Sequence, residues 1–336
     1  MEYTKLGNTG MDISKICLGC MGFGDVTASG WHVDEEESRS VIKRALDLGI
    51  NFFDTANIYA GGRSEEILGR ALNDFANRDE MVVATKVFFN KLGDKISGVG
   101  LSRKAIMAEA DKSLKRLGMD YIDLYIIHRW DMNTPIEETL SALHDLVKVG
   151  KVRYLGASAM YAFQFQKALY TADKHGYSKF VSMQNHYNLI YREDERDMLP
   201  LCLEEKIAST PYSPLASGRL SRPRTESTKR SEVDGMAKLK YDSTIESDDV
   251  VIGRVIEIAE KRGVSRTQVA LAWLLHKPPV VAPVIGATKI AHLEDSVGAV
   301  SVSLSDEEIA YLEEAYVPHK IVGPSSHGMQ KHHSLT

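Results

Sequence analysis

The sequence predicts a single closed (β/α)8 barrel spanning residues 1–336. Three observations carry it: eight short apolar runs bounded by turn residues, amphipathic helical patterns between them, and run-on hydrophobicity in stretches such as MVVAT and YIDLYII. Strands of that last kind are covered on both faces, the habit of parallel sheets flanked by helices. No Gly-x-Gly-x-x-Gly follows the first run, which makes an open doubly wound sheet the weaker alternative. A chain of 336 residues is long for one domain unless its architecture repeats, and eight βα units fill it.

In chain order, residues 3–14 come first, with Gly7-Asn8-Thr9-Gly10 at their middle, and read as a β-hairpin closing the barrel floor. The expected strands are Ile16–Gly19, Asn51–Asp54, Met81–Lys86, Tyr121–His128, Val152–Ser158, Phe180–Gln184, Ile207–Tyr212 and Val280–Ile285. Helix starts are marked by Asp34 with Glu37, by Thr134 with Pro135 and Glu137, by Ser265 with Gln268 and by Ser305 with Glu308. Further apolar stripes at helical spacing run over Arg63–Phe75, Ser102–Leu117, Ala162–Lys174, Glu195–Glu205 and Asp249–Arg262. Residues 213–248 form the one long polar insertion, and 318–336 a polar tail with His327, His332 and His333, for which disorder is expected.

Apolar residues make up 43% and charged ones 26%, which excludes general disorder and fibrous classes. A net charge of −5 argues against a nucleic-acid footprint. Three cysteines cannot staple a secreted fold, and a reducing cytoplasm is expected. The longest apolar run, Val269–Leu275, is too short for a bilayer, and the N-terminus reads as no export signal. Cys17 and Cys20 have the spacing of metal or redox motifs but lie on a barrel strand with no second pair, so no metal site is expected. Small-molecule ligands are left, and no oligomeric state is read from the chain.

A barrel builds its active site at the C-terminal strand ends. The second to seventh runs end in Asp54, Lys86, His128, Ser158, Gln184 and Tyr212-Ser213, all polar and all converging on one mouth. Asp54 beside Lys86 is either a rim salt bridge or half of a catalytic pair. Tyr59, five residues past Asp54, either packs its loop or acts as a proton donor whose pKa Lys86 pulls down. His128 is a satisfied rim histidine or a hydrogen-bond donor to a substrate carbonyl. The four together are more specific than any one. Trp31, Phe88, Phe89, Arg129 and Trp130 flank them and are expected to line an aromatic substrate pocket with one cation.

These residues sit in segments that resemble the aldo-keto reductase superfamily throughout: LGCMGFG at 18–24, INFFDTANIYAGGRSEEILGRAL at 50–72, ATK at 84–86, LYIIHRWDMNTPIEETL at 124–140, GKVRYLGAS at 150–158, MQNHYNLIYR at 183–192, PYSPLASGRL at 211–220 and VIGATK at 284–289. The resemblance is closest to bacterial members linked to 1-deoxyxylulose 5-phosphate formation, with aryl-alcohol dehydrogenase-like enzymes and potassium-channel β subunits further off. It implies NADP(H)-dependent reduction of aldehydes and ketones on a tetrad of Asp54, Tyr59, Lys86 and His128, with NAD(H) as the second cofactor.

By the same resemblance Ser158 and Gln184 bond the nicotinamide carboxamide and Tyr212 stacks on its ring. Ala159 replaces an asparagine common after that serine. Ser213, Leu215, Ser217, Gly218 and Leu220 match the pyrophosphate loop, and 213–248 is expected to clasp it with Arg219, Arg222, Arg224, Lys229 and Arg230 near phosphates. Gly286, Thr288, Lys289, His292, Asp295 and Ser296 match the adenosine end. His292 stands where strongly NADP-selective members have arginine, and Ser296 where asparagine is usual. Two other functions stay open: an enzyme forming 1-deoxyxylulose 5-phosphate from a pentulose phosphate, and a cofactor-sensing subunit that binds another protein.

Overall fold

The computed structural model describes residues 1–24, 30–89, 99–223, 225, 226, 228 and 232–322. Residues 3–14 form the expected hairpin, β1 (Tyr3–Lys5) with β2 (Asp12–Ser14), antiparallel with Tyr3 opposite Ser14. The barrel strands are β3 (Cys17–Gly19), β4 (Phe52–Asp54), β5 (Val82–Val87), β6 (Ile122–Ile127), β7 (Val152–Ser158), β8 (Phe180–Gln184), β9 (Ala208–Ser209) and β10 (Val284–Gly286). All neighbours are parallel, in the order β10-β3-β4-β5-β6-β7-β8-β9. A parallel bridge from Ser209 to Val280 and a bond from Val284 N to Pro211 O (2.9 Å) carry the sheet from β9 round to β10.

The helices are α1 (Glu35–Asp47), α2 (Arg63–Phe75), α3 (Arg103–Leu117), α4 (Ile136–Lys148), α5 (Ala162–His175), α6 (Met198–Glu204), α7 (Gly235–Tyr241), α8 (Ile245–Arg262), α9 (Arg266–His276), α10 (Ile290–Gly298) and α11 (Asp306–Glu313). Asp34 and Ser265 cap α1 and α9 by accepting from the third backbone N–H, and Ser305 with Glu308 completes a reciprocal box on α11.

Several expected boundaries move for identifiable reasons. The last two strands are shorter than expected, because Pro211 and Pro283 have no N–H to give a ladder and serve it only through their carbonyls. Pro135, not Thr134, is the N-cap of α4; the Thr134 hydroxyl instead donates to Asp131 Oδ2 at 2.8 Å. The helix expected over Glu195–Glu205 is shortened to α6, preceded by a 3-10 turn at Glu193–Glu195, and the one expected from Asp249 starts earlier, at Ile245. The insertion 213–248 is not all loop: it contains α7 and the start of α8. Arg224, Lys229, Arg230 and the tail histidines lie outside the described residues.

Side chains alternate along each strand, and that alternation places the site. Leu18, Phe53, Val83 and Tyr125 face the helices in the main core, whereas Cys17, Phe52, Val82, Ala84, Leu124, Ile126 and Ala208 form a second core with Leu6 and Ile13 of the hairpin. The hairpin thus fills the floor. Continued by two residues, the inward phase brings Asp54, Lys86 and His128 to the opposite end, where Ser158 pairs in register with Gln184.

Gly69 of α2 sits where an added Cβ would lie 2.0 Å from the Leu117 carbonyl oxygen of α3. Gly-to-Ala inside a helix ordinarily stabilises by up to about 1 kcal/mol. Here Gly69→Ala is expected to destabilise by about 2 kcal/mol, as overpacking does, read as a lower urea midpoint at unchanged m-value.

Candidate active site

The mouth of the barrel brings Asp54, Tyr59, Lys86 and His128 together. Lys86 is fully buried and Asp54 is 2% exposed. The Lys86 ammonium donates to Asp54 Oδ1, to the Thr55 carbonyl at 2.9 Å and to Tyr59 Oη at 3.2 Å. Three donors thus find three acceptors. Gln184 Nε2 donates to the other carboxylate oxygen, Oδ2, at 2.8 Å. The Tyr59 and His128 rings meet edge-on at 5.8 Å and 83°.

Tyr59 reaches the mouth because its loop turns back sharply. Ala60, Gly61 and Gly62 have φ of 43°, 66° and 94°, and a Cβ on Gly24 would fall 2.2 Å from Ala60 Cβ, so the loop after β3 packs directly on this turn.

Burial governs the protonation states. It opposes the Lys86 charge, but Asp54 and Tyr59 together raise that ammonium above its ordinary value. Burial also raises the Tyr59 phenol; Lys86 pulls it down, less strongly, so the net depression expected from sequence is reversed. Burial first, then the Lys86 and Arg129 cations, push His128 well below its ordinary value, and its ring is neutral. His128 Nδ1 is buried without a hydrogen-bond partner.

Of the expected pocket residues, Phe89 packs edge-on against His128 at 5.2 Å and against Phe88 at 5.0 Å, and the Arg129 guanidinium lies 5.4 Å from the Phe88 ring centroid. Trp31 packs edge-on against His32, next to Gly22, and Trp130 packs against the main core.

Beside the tetrad, Ser158 and Gln184 are buried, but their polar atoms are already engaged: the Ser158 hydroxyl donates to the Gln184 carbonyl at 2.8 Å and the Gln184 amide to Asp54. The Tyr212 ring stacks on His186 at 5.2 Å and 10°. Beyond it Ser213, Ala216, Ser217 and Gly218 all have positive φ, from 49° to 96°. A Cβ on Gly218 would meet the Arg222 guanidinium at 2.6 Å. Leu215 packs on the main core, where Leu220 is fully buried.

At the other end of this strip, Gly286 has open space beside its Cα, and Thr288 and Lys289 lead into α10, whose N-cap Lys289 gives no side-chain cap. His292 lies in its first turn. Burial first and Lys289 second lower its pKa, with Arg222 contributing, so the loop after Tyr212 comes close to this helix start. Ser296 turns its hydroxyl back to the His292 carbonyl at 2.8 Å, and Asp295 is half-buried.

A family model described as the Aldo/keto reductase family matches residues 15–317. The chain belongs to the aldo/keto reductase family. It is 44% identical to a versiconal hemiacetal acetate reductase of Aspergillus parasiticus over 96% of this chain and 98% of that protein. It is 42% identical to a putative aryl-alcohol dehydrogenase of Schizosaccharomyces pombe, over 96% and 97% of the two chains, and 38% to one of Saccharomyces cerevisiae, over 95% and 98%. All three relatives are fungal and carry reductase or dehydrogenase names.

Members of this aldo/keto reductase family generally use NAD(P)H, and the strip from Tyr212 to α10 fits a dinucleotide. Arg222 and Lys289 bring cations to phosphates and the first amides of α10 are free of a side-chain cap, while the Ala216 and Gly218 N–H groups are already bonded within the loop. The carboxamide end fits less fully, because Ala159 offers no side-chain amide where the family commonly has one. Its φ of 49° is a conformation asparagine adopts more readily than alanine.

A supporting network behind the tetrad carried no periodicity by which to find it. Glu65, fully buried, accepts from Thr85 Oγ1 at 2.6 Å and from Arg116 Nε at 2.5 Å. Asn57 donates to the Phe89 carbonyl at 2.7 Å and to Glu109 Oε2 at 2.9 Å, tying the Tyr59 loop to the pocket aromatics. The only sequence signal was a pair of acids, Glu65 and Glu66, at a helix start.

Replacing Asp54 with Asn leaves a buried ammonium without its counter-charge, and a loss of about 3–5 kcal/mol is expected. The double variant Asp54→Asn/Lys86→Met is expected to be more stable than Asp54→Asn alone. Urea unfolding of the two variants and of Lys86→Met alone checks the coupling.

Proposed function

We propose that this protein reduces aldehydes and ketones to alcohols with NADPH, on a tetrad of Asp54, Tyr59, Lys86 and His128. The observation that carries the proposal is the Tyr59 hydroxyl, 3.2 Å from a buried ammonium and edge-on to a neutral histidine at the barrel mouth. A bound dihydronicotinamide supplies the hydride to the carbonyl carbon.

The residues of the chain do the rest. Tyr59 Oη gives its proton to the carbonyl oxygen as negative charge grows there. Lys86 stabilises the phenolate left behind, and Asp54, fixed through Oδ2 by Gln184, keeps that ammonium charged and aimed. Neutral His128 orients the carbonyl and shares in stabilising the oxyanion. Phe88 and Phe89 form an apolar wall with the Arg129 cation against it, suiting aromatic carbonyl compounds, the oxidised counterparts of the aryl alcohols in one relative's name. Tyr212 serves as the stacking platform, Ser213, Leu215, Ser217 and Gly218 line the pyrophosphate with Leu220 anchoring their loop in the core, and Gly286, Thr288, Lys289, His292, Asp295 and Ser296 hold the adenosine end. The three cysteines, buried and unpaired, suit a reducing cytoplasm.

Tyr59→Phe is expected to lose at least about a hundredfold in kcat, the scale of general acid catalysis, with cofactor affinity kept. Nicotinamide absorbance with NADPH on a panel of aromatic aldehydes, dicarbonyls and pentulose phosphates measures it. Retained wild-type turnover removes the tetrad assignment; tight cofactor binding with no turnover on any substrate moves the protein to a sensing role.

Because the phenol titrates above its ordinary 10.0, kcat/KM for reduction is expected to stay level through neutral pH. It falls only above that value, as the proton to be donated is lost. His292→Arg is expected to tighten NADPH relative to NADH by about tenfold, through a permanent charge-assisted bond to the 2′-phosphate, read from the two dissociation constants.

A further inference from the structure

The Tyr59 hydroxyl makes one hydrogen bond among the described residues, the 3.2 Å contact with Lys86, at the long end of the normal range. Its place at the mouth is therefore set by the loop that carries it. That loop runs on beside β5 after β4 ends: the Thr55 N–H donates to the Ala84 carbonyl at 2.9 Å and the Asn57 N–H to the Lys86 carbonyl at 3.3 Å. It then turns through Ala60, whose φ of 43° is a conformation alanine holds only under constraint. Asn57, 5% exposed, supplies a constraint from outside the loop. Its side-chain nitrogen donates to the Phe89 carbonyl at 2.7 Å and to Glu109 Oε2 at 2.9 Å. Both anchors are themselves held. Glu109, on α3, pairs with Lys112 at 2.9 Å, and the carbonyls of Val87 and Phe88, just before Phe89, accept from the His128 and Gly100 N–H groups, each at 2.8 Å.

We infer that Asn57 is a positioning residue for the proton donor: its amide moors the loop two residues ahead of Tyr59, to β5's outgoing chain and to α3, and so fixes where the hydroxyl stands. This rests on the proposal that Tyr59 protonates the carbonyl oxygen. A carbonyl and a carboxylate can only accept, so the amide nitrogen has to face them, and the amide oxygen is left buried without a partner. An unpaired buried acceptor is unfavourable, and an apolar side chain would fill the space without one. What only the amide provides is a pair of directed bonds, one of them strengthened by the carboxylate charge. A general acid has to stand within hydrogen-bond reach of the oxygen it protonates, and an ångström of drift can lower the rate on the order of a hundredfold. Without the amide, the long bond from Lys86 is left to hold the hydroxyl against a turn that tends to relax.

The test is a double-mutant cycle on the purified full-length chain, with an aromatic aldehyde and NADPH. Asn57→Ala is expected to lower kcat at least about tenfold, with the NADPH dissociation constant and the number of NADPH sites per chain as in wild type. In a Tyr59→Phe background, where no donor is left to misplace, the same substitution is expected to change the residual kcat by less than about twofold. Glu109→Ala, which removes one of the two acceptors and leaves the loop's own residues untouched, shifts kcat in the same direction by less, and it carries the cycle if Asn57→Ala fails to fold. A wild-type kcat in Asn57→Ala, or the same fold loss in both backgrounds, overturns the inference and leaves Asn57 a structural residue. Wild-type turnover that Tyr59→Phe does not diminish overturns the reading of Tyr59 as the donor, and the inference with it.

Discussion

The ion pair of Lys86 with Asp54 is the constraint around which the barrel mouth is organised. Two charges removed from water cost several kcal/mol apiece, and the pair survives because every polar atom is used. The ammonium divides itself among a carboxylate, a backbone carbonyl and the Tyr59 hydroxyl, and the second carboxylate oxygen is taken by Gln184. That economy sets the neighbourhood. Tyr59 must turn back over three left-handed residues to complete the ammonium's shell, and Gln184, from the far side of the ring, is spent on Asp54.

The same pair fixes the electrical character of its neighbours. Lys86 is held charged, and with Arg129 it adds to the burial that keeps His128 neutral. An acid that stays protonated, a cation that stays charged and a neutral imidazole therefore coexist within one water-poor space, each because of the others. A salt bridge serving only stability would not require the phenol.

Much of this was legible in the sequence, because a barrel turns strand phase into position. Apolar runs ending in Asp54, Lys86, His128, Ser158 and Gln184 needed only period-two alternation to be placed on one rim, and Tyr59 followed from its place five residues past Asp54 in the loop at that rim. What stayed hidden depends on contacts between distant segments. The fate of the Tyr59 proton turns on how dry the pocket is, and no local pattern encodes that. The Glu65, Thr85 and Arg116 network joins α2, β5 and α3. Helix α7 is too short to announce itself, and it turns Met236 and Leu239 outward while burying Lys240, the reverse of the usual pattern; its anchor, Tyr241, has meaning only against His186 and Asn188. Pro211 and Pro283 were visible as residues, but their effect, ending two ladders early, depended on which N–H groups the closing strands had to supply.

The ring closes by pairing β10 with β3, so Val284 meets Cys17 across nearly the whole chain. Contacts between such distant residues form late, since the intervening chain has to be ordered before they are rewarded. Asp54, Lys86, His128, Ser158 and Gln184 come from five successive strands between that first and last one, and Gln184 reaches Asp54 across the lumen rather than along the sheet. Such a cross-lumen bond exists only when the cylinder is shut. The mouth is therefore complete only in the closed cylinder, where Gln184 reaches across to the cluster that Asp54, Lys86 and Tyr59 build at the ends of neighbouring strands.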